Sequence, residues 1–146
     1  MSARSASERD IPVILGLLYD LGRPRPGEDR EVDAFRRMVK KYIADEDKRI
    51  LVAVLDDIKL VGMAAVMFVP RLNRATPEMY VPELVVEERH RGRGTGGMLI
   101  KECVRLAREK KCHRIRLESG NSRKESHRFY SEAGFVQSAL SFTMDL

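Results

Sequence analysis

The stretch Leu84-Val85-Val86-Glu87-Glu88-Arg89-His90-Arg91-Gly92-Arg93-Gly94-Thr95-Gly96-Gly97-Met98-Leu99-Ile100 joins an apolar strand to a basic, glycine-rich turn and then to an amphipathic helix. Glycine lets backbone come close to a ligand, and the first turn of a helix leaves N–H groups without intrahelical acceptors at the positive end of its dipole. Arg91 and Arg93 add fixed charge beside those donors, a set that suits a diphosphate. Upstream of the turn, residues 50–55, 60–69 and 79–86 read as three strands, with Asp56-Asp57 turning between the first two. Such neighbours form an antiparallel meander. Pro82 has no N–H to give a ladder, so a bulge or splayed edge is expected inside the third strand.

Downstream, Leu99, Ile100, Cys103, Val104, Leu106 and Ala107 make the apolar stripe of a helix that ends at Lys110-Lys111. A short strand over 115–118 follows. Strand, helix and strand make a crossover, so the strands at its two ends are predicted to be parallel. Before the meander, Arg4-Ser5-Ala6 reads as a short first strand. Ser7 can cap a helix that has Pro12 in its first turn and Ile14, Leu15, Leu17, Leu18 and Leu21 on its buried face. Two prolines and flanking glycines over 22–27 end it, and a second helix over 31–44 spaces Val32, Phe35, Met38, Val39, Tyr42 and Ile43 by three and four. Near the end, Ser122-x-x-Glu125 has the form of a capping box for a helix reaching about residue 133, with Gly134 at its C′ position and a final strand over 135–144. The class is α/β, in one domain over 1–146.

Arg91-x-x-Gly94-x-Gly96 fits the Arg/Gln-x-x-Gly-x-Gly/Ala signature of the GNAT N-acetyltransferases, and Tyr130-x-x-x-Gly134-Phe135 is similar to that family's later Tyr-x-x-x-Gly-Phe segment. The resemblance implies the GNAT fold, a mixed and mostly antiparallel sheet flanked by helices on both faces. Splayed strands, one ending at Val86 and one starting near Arg114, would open the acetyl-CoA cleft. It implies that Arg91, Gly92, Arg93, Gly94, Thr95, Gly96 and Gly97 hold the pyrophosphate and that the backbone of Leu84, Val85 and Val86 meets the pantetheine arm. Thr95 departs from the family's usual aliphatic residue, which a backbone-mediated site tolerates. Asn121 either caps the last helix or reaches the same arm. Tyr130 is assigned the proton that the leaving thiolate needs.

An alkylamine with a pKa of about 10.4 is nearly all protonated at pH 7, so acetyl transfer to it needs a base. Glu83, next to Leu84 on the same strand, is the candidate, with Tyr80 at another inward position. A backbone N–H near Val85 is the candidate oxyanion donor. The acceptor is read as a primary amine of a small molecule, with a protein or peptide amine as the alternative. Glu83-Leu84-Val85-Val86, His127-Arg128-Phe129-Tyr130 and Ser138-x-x-Ser141-Phe142-Thr143 are similar to aminoalkylphosphonate N-acetyltransferases, which implies a small, anionic amine. Arg71 and Arg74 are loop positions suited to meeting an anion. A homodimer through the last strand and helices is implied by analogy alone.

The net charge of +5 favours anionic partners without choosing among them. Gly92-x-Gly94-x-x-Gly97, with Glu118 at the end of the next strand, also satisfies the dinucleotide fingerprint. Against that reading, polar residues 87–91 separate the strand from Gly92, and the motif follows hairpins instead of opening a βαβ repeat. A nucleic-acid loop is opposed by scarce aromatics, 6% with no Trp, none interleaved with the arginines. A non-catalytic acyl-CoA module would share the loop; the presence of both Glu83 and Tyr130 favours catalysis. His90, His113 and His127 lack metal-ligand spacing, so no metal is expected, and Cys103 and Cys112 read as reduced packing residues. No apolar run approaches the roughly 20 residues of a membrane span, and a cytoplasmic location is expected.

Overall fold

The apolar meander builds a sheet with strand order β1 (Ser2–Ser5), β2 (Lys48–Leu55), β3 (Lys59–Val69), β4 (Glu78–Val86) and β5 (Ile115–Leu117). This computed structural model describes residues 1–146, in two units, 1–116 and 117–146. Within the first unit, β1 to β4 pair antiparallel in sequence order. Asp56 and Asp57 turn the β2–β3 hairpin with φ of 50° and 59°, a left-handed pair that aspartate tolerates better than most residues. Glu83 pairs with Ala65 and Tyr80 with Met67, so Val81-Pro82 opposes a single β3 residue. The bulge falls at the proline, as the missing donor requires.

Beside β4, His113 donates its N–H to the Pro77 carbonyl and Met79 donates to the Arg114 carbonyl, each at 3.0 Å. The partners ascend together along both segments, so the chain enters β5 parallel to β4, after a crossover through α3 (Thr95–Glu109). Helices α1 (Ile11–Asp20) and α2 (Asp29–Ala44) cover one sheet face, where Ile14, Leu17 and Val39 pack with Val52, Met63, Ala65 and Val85. Gly62 points the other way. A Cβ there would lie 3.4 Å from both Leu99 and Thr95 of α3 and 3.0 Å from the Val85 carbonyl, so glycine is what lets the helix approach. The apolar stripe of α3, with Leu99, Ile100, Cys103, Leu106 and Ala107, is buried as its spacing predicts. No helix is long and apolar enough to cross a membrane.

The entry to α1 is fixed by Asp10 at the end of a 3-10 turn over Glu8–Asp10. Its carboxylate accepts from the Ser7 N–H at 2.8 Å and from both terminal nitrogens of Arg4 at 2.8 and 2.9 Å. The Arg4 fork holds the Asp10 carboxyl down to about 2 against its burial. A lowered folded-state value stabilises above the unfolded pKa and is lost as pH falls through the folded one. Asp10→Asn is therefore expected to cost about 2 kcal/mol in urea unfolding at pH 7, a deficit that shrinks as pH falls from about 4 toward 2.

Three expectations are corrected. Met38 lies off the buried face of α2, 64% exposed, because Val39 takes the inward position. In the second unit, α4 (Lys124–Glu132) starts after Arg123 with no side-chain cap, so neither the Ser122/Glu125 box nor an Asn121 cap forms. Residues 135–144 form no strand: a strand needs a ladder partner, and here Val136, Leu140 and Phe142 are 84%, 75% and 89% exposed. The other end of α4 follows its sequence closely. Gly134, at φ 97°, donates to the Ser131 carbonyl at 3.1 Å, and Phe135 donates to Tyr130 at 2.9 Å, the paired bonds of a Schellman motif.

Candidate active site

The glycine turn leaves β4 through a 3-10 turn over Glu88–His90 and enters α3 at Thr95. Gly92 and Gly94 have φ of 69° and 83°, conformations that cost an L side chain. Thr95 is buried and its hydroxyl donates to the His90 carbonyl at 3.3 Å, which ties the helix start to the preceding turn. Glu87 braces the other side, with Lys59 Nζ at 3.0 Å and His90 Nδ1 at 2.9 Å from its carboxylate. The Lys59 contact keeps the Glu87 carboxyl below its ordinary range despite its partial desolvation. The turn is thus held from beneath while Arg91, Gly92, Arg93 and Gly94 are exposed.

The first turn of α3 presents the N–H groups of Thr95, Gly96 and Gly97; the Met98 N–H is the first taken inside the helix, by Gly94 at 2.9 Å. A Cβ on Gly92, Gly94 or Gly97 would meet no protein atom within 4 Å, so these positions form an open cradle of backbone donors rather than a packed corner. That donor set, with two exposed arginines, fits a diphosphate. The Arg91 side chain reaches back to the Val86 carbonyl at 3.1 Å and links the cradle to the end of β4.

Backbone direction along β4 alternates. Glu87 donates to the Val61 carbonyl of β3 at 2.8 Å, whereas the Val86 carbonyl is met from the other edge by Arg91. Val85, opposite Met63, therefore gives its N–H to β3, and Leu84 and Val86 carry the N–H groups that face away from it. Of the N–H groups near Val85, those of Leu84 and Val86 are therefore the ones not given to β3.

Glu83, Val85 and Tyr80 lie on the face of β4 that carries α1 and α2. Glu83 is held there by a cation that the sequence reading missed: Arg23, in the segment after α1, donates its Nε–H at 2.9 Å and a terminal N–H at 2.7 Å to Oε2. The side chain of Glu83 remains 24% exposed. No local pattern signals this pair, since its members stand 60 residues apart. A second missed group is Glu78, fully buried at the start of β4, whose carboxylate meets Arg114 Nε at 2.6 Å and Arg116 Nε at 3.1 Å. Burial pushes that carboxyl up, but the two arginines outweigh it and hold it below the ordinary range.

Asn121 and Tyr130 belong to the second unit. Asn121 is exposed. Tyr130 is half-buried on α4 between Phe129 and Phe135, with ring centroids at 5.3 and 5.8 Å. Burial raises its phenol, opposed by the charge of Arg123, so it keeps its proton through the neutral range. The Cys103 thiol is pushed up to about 12 by burial, and Cys112 is raised as well, so neither supplies a thiolate at neutral pH.

The sequence model of the acetyltransferase (GNAT) family matches residues 15–135. A glucosamine 6-phosphate N-acetyltransferase of Trypanosoma brucei brucei is 29% identical over 89 residues, which are 60% of this chain and 58% of that protein's length. Among solved structures, a provisionally named acetyltransferase from Agrobacterium tumefaciens str. C58 superposes with a TM-score of 0.88 at 28% identity, over 100% of both chains. A transcriptional regulator from Bacillus halodurans C-125 does so with a TM-score of 0.89 at 28% identity, over 99% of both.

Proposed function

Because the chain belongs to the GNAT acetyltransferase family, we propose that it transfers acetyl from acetyl-CoA directly to the primary amine of a small molecule. The observation that carries this reading is the open cradle at Gly92, Gly94 and Gly97, braced by Thr95 and Glu87 and flanked by Arg91 and Arg93. Arg91, Gly92, Arg93, Gly94, Thr95, Gly96 and Gly97 hold the diphosphate, and the outward backbone groups of Leu84 and Val86 take the pantetheine amides. Acetyl-CoA supplies an activated acyl carbon on a thiol leaving group. Glu83 removes the proton from the amine, once the incoming ammonium has displaced Arg23 from its carboxylate. An N–H of Leu84 or Val86 meets the negative charge that grows on the carbonyl oxygen. As the new C–N bond forms and the C–S bond breaks, Tyr130 gives its proton to the sulfur and regains one from the second proton that the nitrogen sheds on becoming an amide. The raised thiol values of Cys103 and Cys112 favour direct transfer over an acyl-enzyme.

Thermal unfolding with acetyl-CoA, NAD or a short RNA tests the premise, followed by thiol release over a panel of amines. Acetyl-CoA at about a hundredfold over its Kd should stabilise the fold by about 2.7 kcal/mol, seen as a rise in Tm, with NAD and RNA leaving it in place. A shift with NAD and none with acetyl-CoA would return the cradle to the dinucleotide reading.

A further inference from the structure

At the end of β4 and α3 away from the glycine turn, a hollow of about 250 Å³ is lined by Glu46, Asp47, Phe68, Pro70, Pro77 and Lys110. Phe68, near the end of β3, is buried and gives it an aromatic surface, and Pro70 and Pro77 add ring surface that carries no N–H. Backbone bonds fix this frame. The Phe68 N–H donates to the Asp47 carbonyl at 2.8 Å, the His113 N–H to the Pro77 carbonyl at 3.0 Å and the Lys110 N–H to the Leu106 carbonyl at 3.0 Å. The turn that carries Glu46 and Asp47 is closed by the Asp45 carboxylate, which accepts the Asp47 N–H at 2.9 Å and pairs with Lys48 at 3.1 Å. Charges of both signs therefore line the hollow without neutralising one another. No ion pair engages Glu46, Asp47 or Lys110, and the Lys110 ammonium stands over the Phe68 ring, 5.7 Å from its centroid.

We infer that this hollow is a binding site for a free apolar amino acid, taken as the zwitterion. Glu46 and Asp47 meet its ammonium, Lys110 meets its carboxylate, and its side chain lies against Phe68, Pro70 and Pro77. Both signs of charge are needed to match the walls. A simple cation leaves Lys110 unmatched, and a simple anion faces two carboxylates, whereas a dipolar molecule forms charge-assisted hydrogen bonds on each side. Volume sets the size of the occupant. Sites for drug-sized ligands enclose roughly 300–1,000 Å³, so a hollow of about 250 Å³ suits a single amino acid and excludes a nucleotide or a folded peptide. The site also stands apart from the acetyl-CoA cradle. Helix α3 starts at the cradle and runs 15 residues to the hollow, a length of about 22 Å, so the amino acid bound here is not the acceptor.

The test is calorimetry on the full chain with leucine, with leucinamide, which lacks the carboxylate, and with isocaproate, which lacks the ammonium. Leucine should bind with a Kd below about 1 mM, and each relative should bind about fivefold or more weakly, having lost one charged contact. Lys110→Gln should bring leucine down to the affinity of leucinamide. The double variant Glu46→Gln, Asp47→Asn should likewise bring it down to that of isocaproate. All three side chains are exposed and in no ion pair, so these variants should keep the Tm of the wild type. Saturating acetyl-CoA should leave the titration of leucine in place. Absence of leucine binding at millimolar concentration, equal affinity for the three compounds, or an affinity that survives both sets of substitutions overturns the site. Competition between leucine and acetyl-CoA overturns it as well, because it places the amino acid at the cradle. None of these readouts depends on turnover, so the site stands or falls apart from the reading of Glu83.

Discussion

Glu83→Gln is expected to lower kcat/KM for an alkylamine by about two orders of magnitude at pH 7, the usual worth of a positioned general base. The deficit has a pH signature. An amine with a pKa of about 10.4 needs its proton removed at pH 7 but arrives increasingly neutral as pH rises toward 10, so wild type and variant should converge there. Glutamine keeps the size of the side chain but also breaks the pair with Arg23. Arg23→Gln separates the two effects, because it breaks the same pair and leaves the base in place. A loss in Arg23→Gln as large as in Glu83→Gln, or a deficit that does not change with pH, would make Glu83 a structural carboxylate.

Gly94→Val is expected to raise the KM for acetyl-CoA by at least about tenfold, since a left-handed residue costs about 1–2 kcal/mol and relaxing it would swing the first N–H groups of α3 out of line. Gly97→Ala makes an informative companion. Its φ is not left-handed, and a Cβ there meets no protein atom within 4 Å, so alanine should stabilise the free protein by up to about 1 kcal/mol through helix propensity. The same methyl would stand in the cradle and weaken acetyl-CoA binding. A rise in the Tm of the free protein together with a smaller acetyl-CoA shift is the outcome that ties these glycines to a ligand rather than to folding.

Much of the fold was legible because it is written in local periodicity. The bulge at Pro82 follows from one missing N–H, and the stripe of α3 from spacing by three and four. The turn at Gly92 and Gly94 could be read for the same reason, since its requirement for positive φ is satisfied by the glycines themselves. Contacts between distant segments left no such trace. Arg23 reaches Glu83, and Arg114 and Arg116 reach Glu78, across separations that only the folded sheet closes. The last strand was misread because alternation of apolar residues reports a preference for extended backbone, whereas a strand also requires an edge to pair with. Direction along β4 was missed for a related reason. Which N–H groups face outward depends on register, and register is set by the partner strand.

The Schellman end of α4 joins two requirements in one residue. Tyr130 accepts the closing bond from Phe135 through its carbonyl and meets that residue's ring with its own, while its hydroxyl is the group assigned to the thiolate. Most substitutions at this position keep the carbonyl but lose the ring contact with Phe135 together with the proposed proton donor, so a dead variant would say little about chemistry. Phenylalanine alone among the twenty keeps the phenyl ring and deletes only the hydroxyl oxygen. The segment Tyr130-x-x-x-Gly134-Phe135 is then a stop signal whatever its part in the proposed chemistry: glycine reverses the chain, phenylalanine seals it, and the tyrosine oxygen is the part that the helix end does not use.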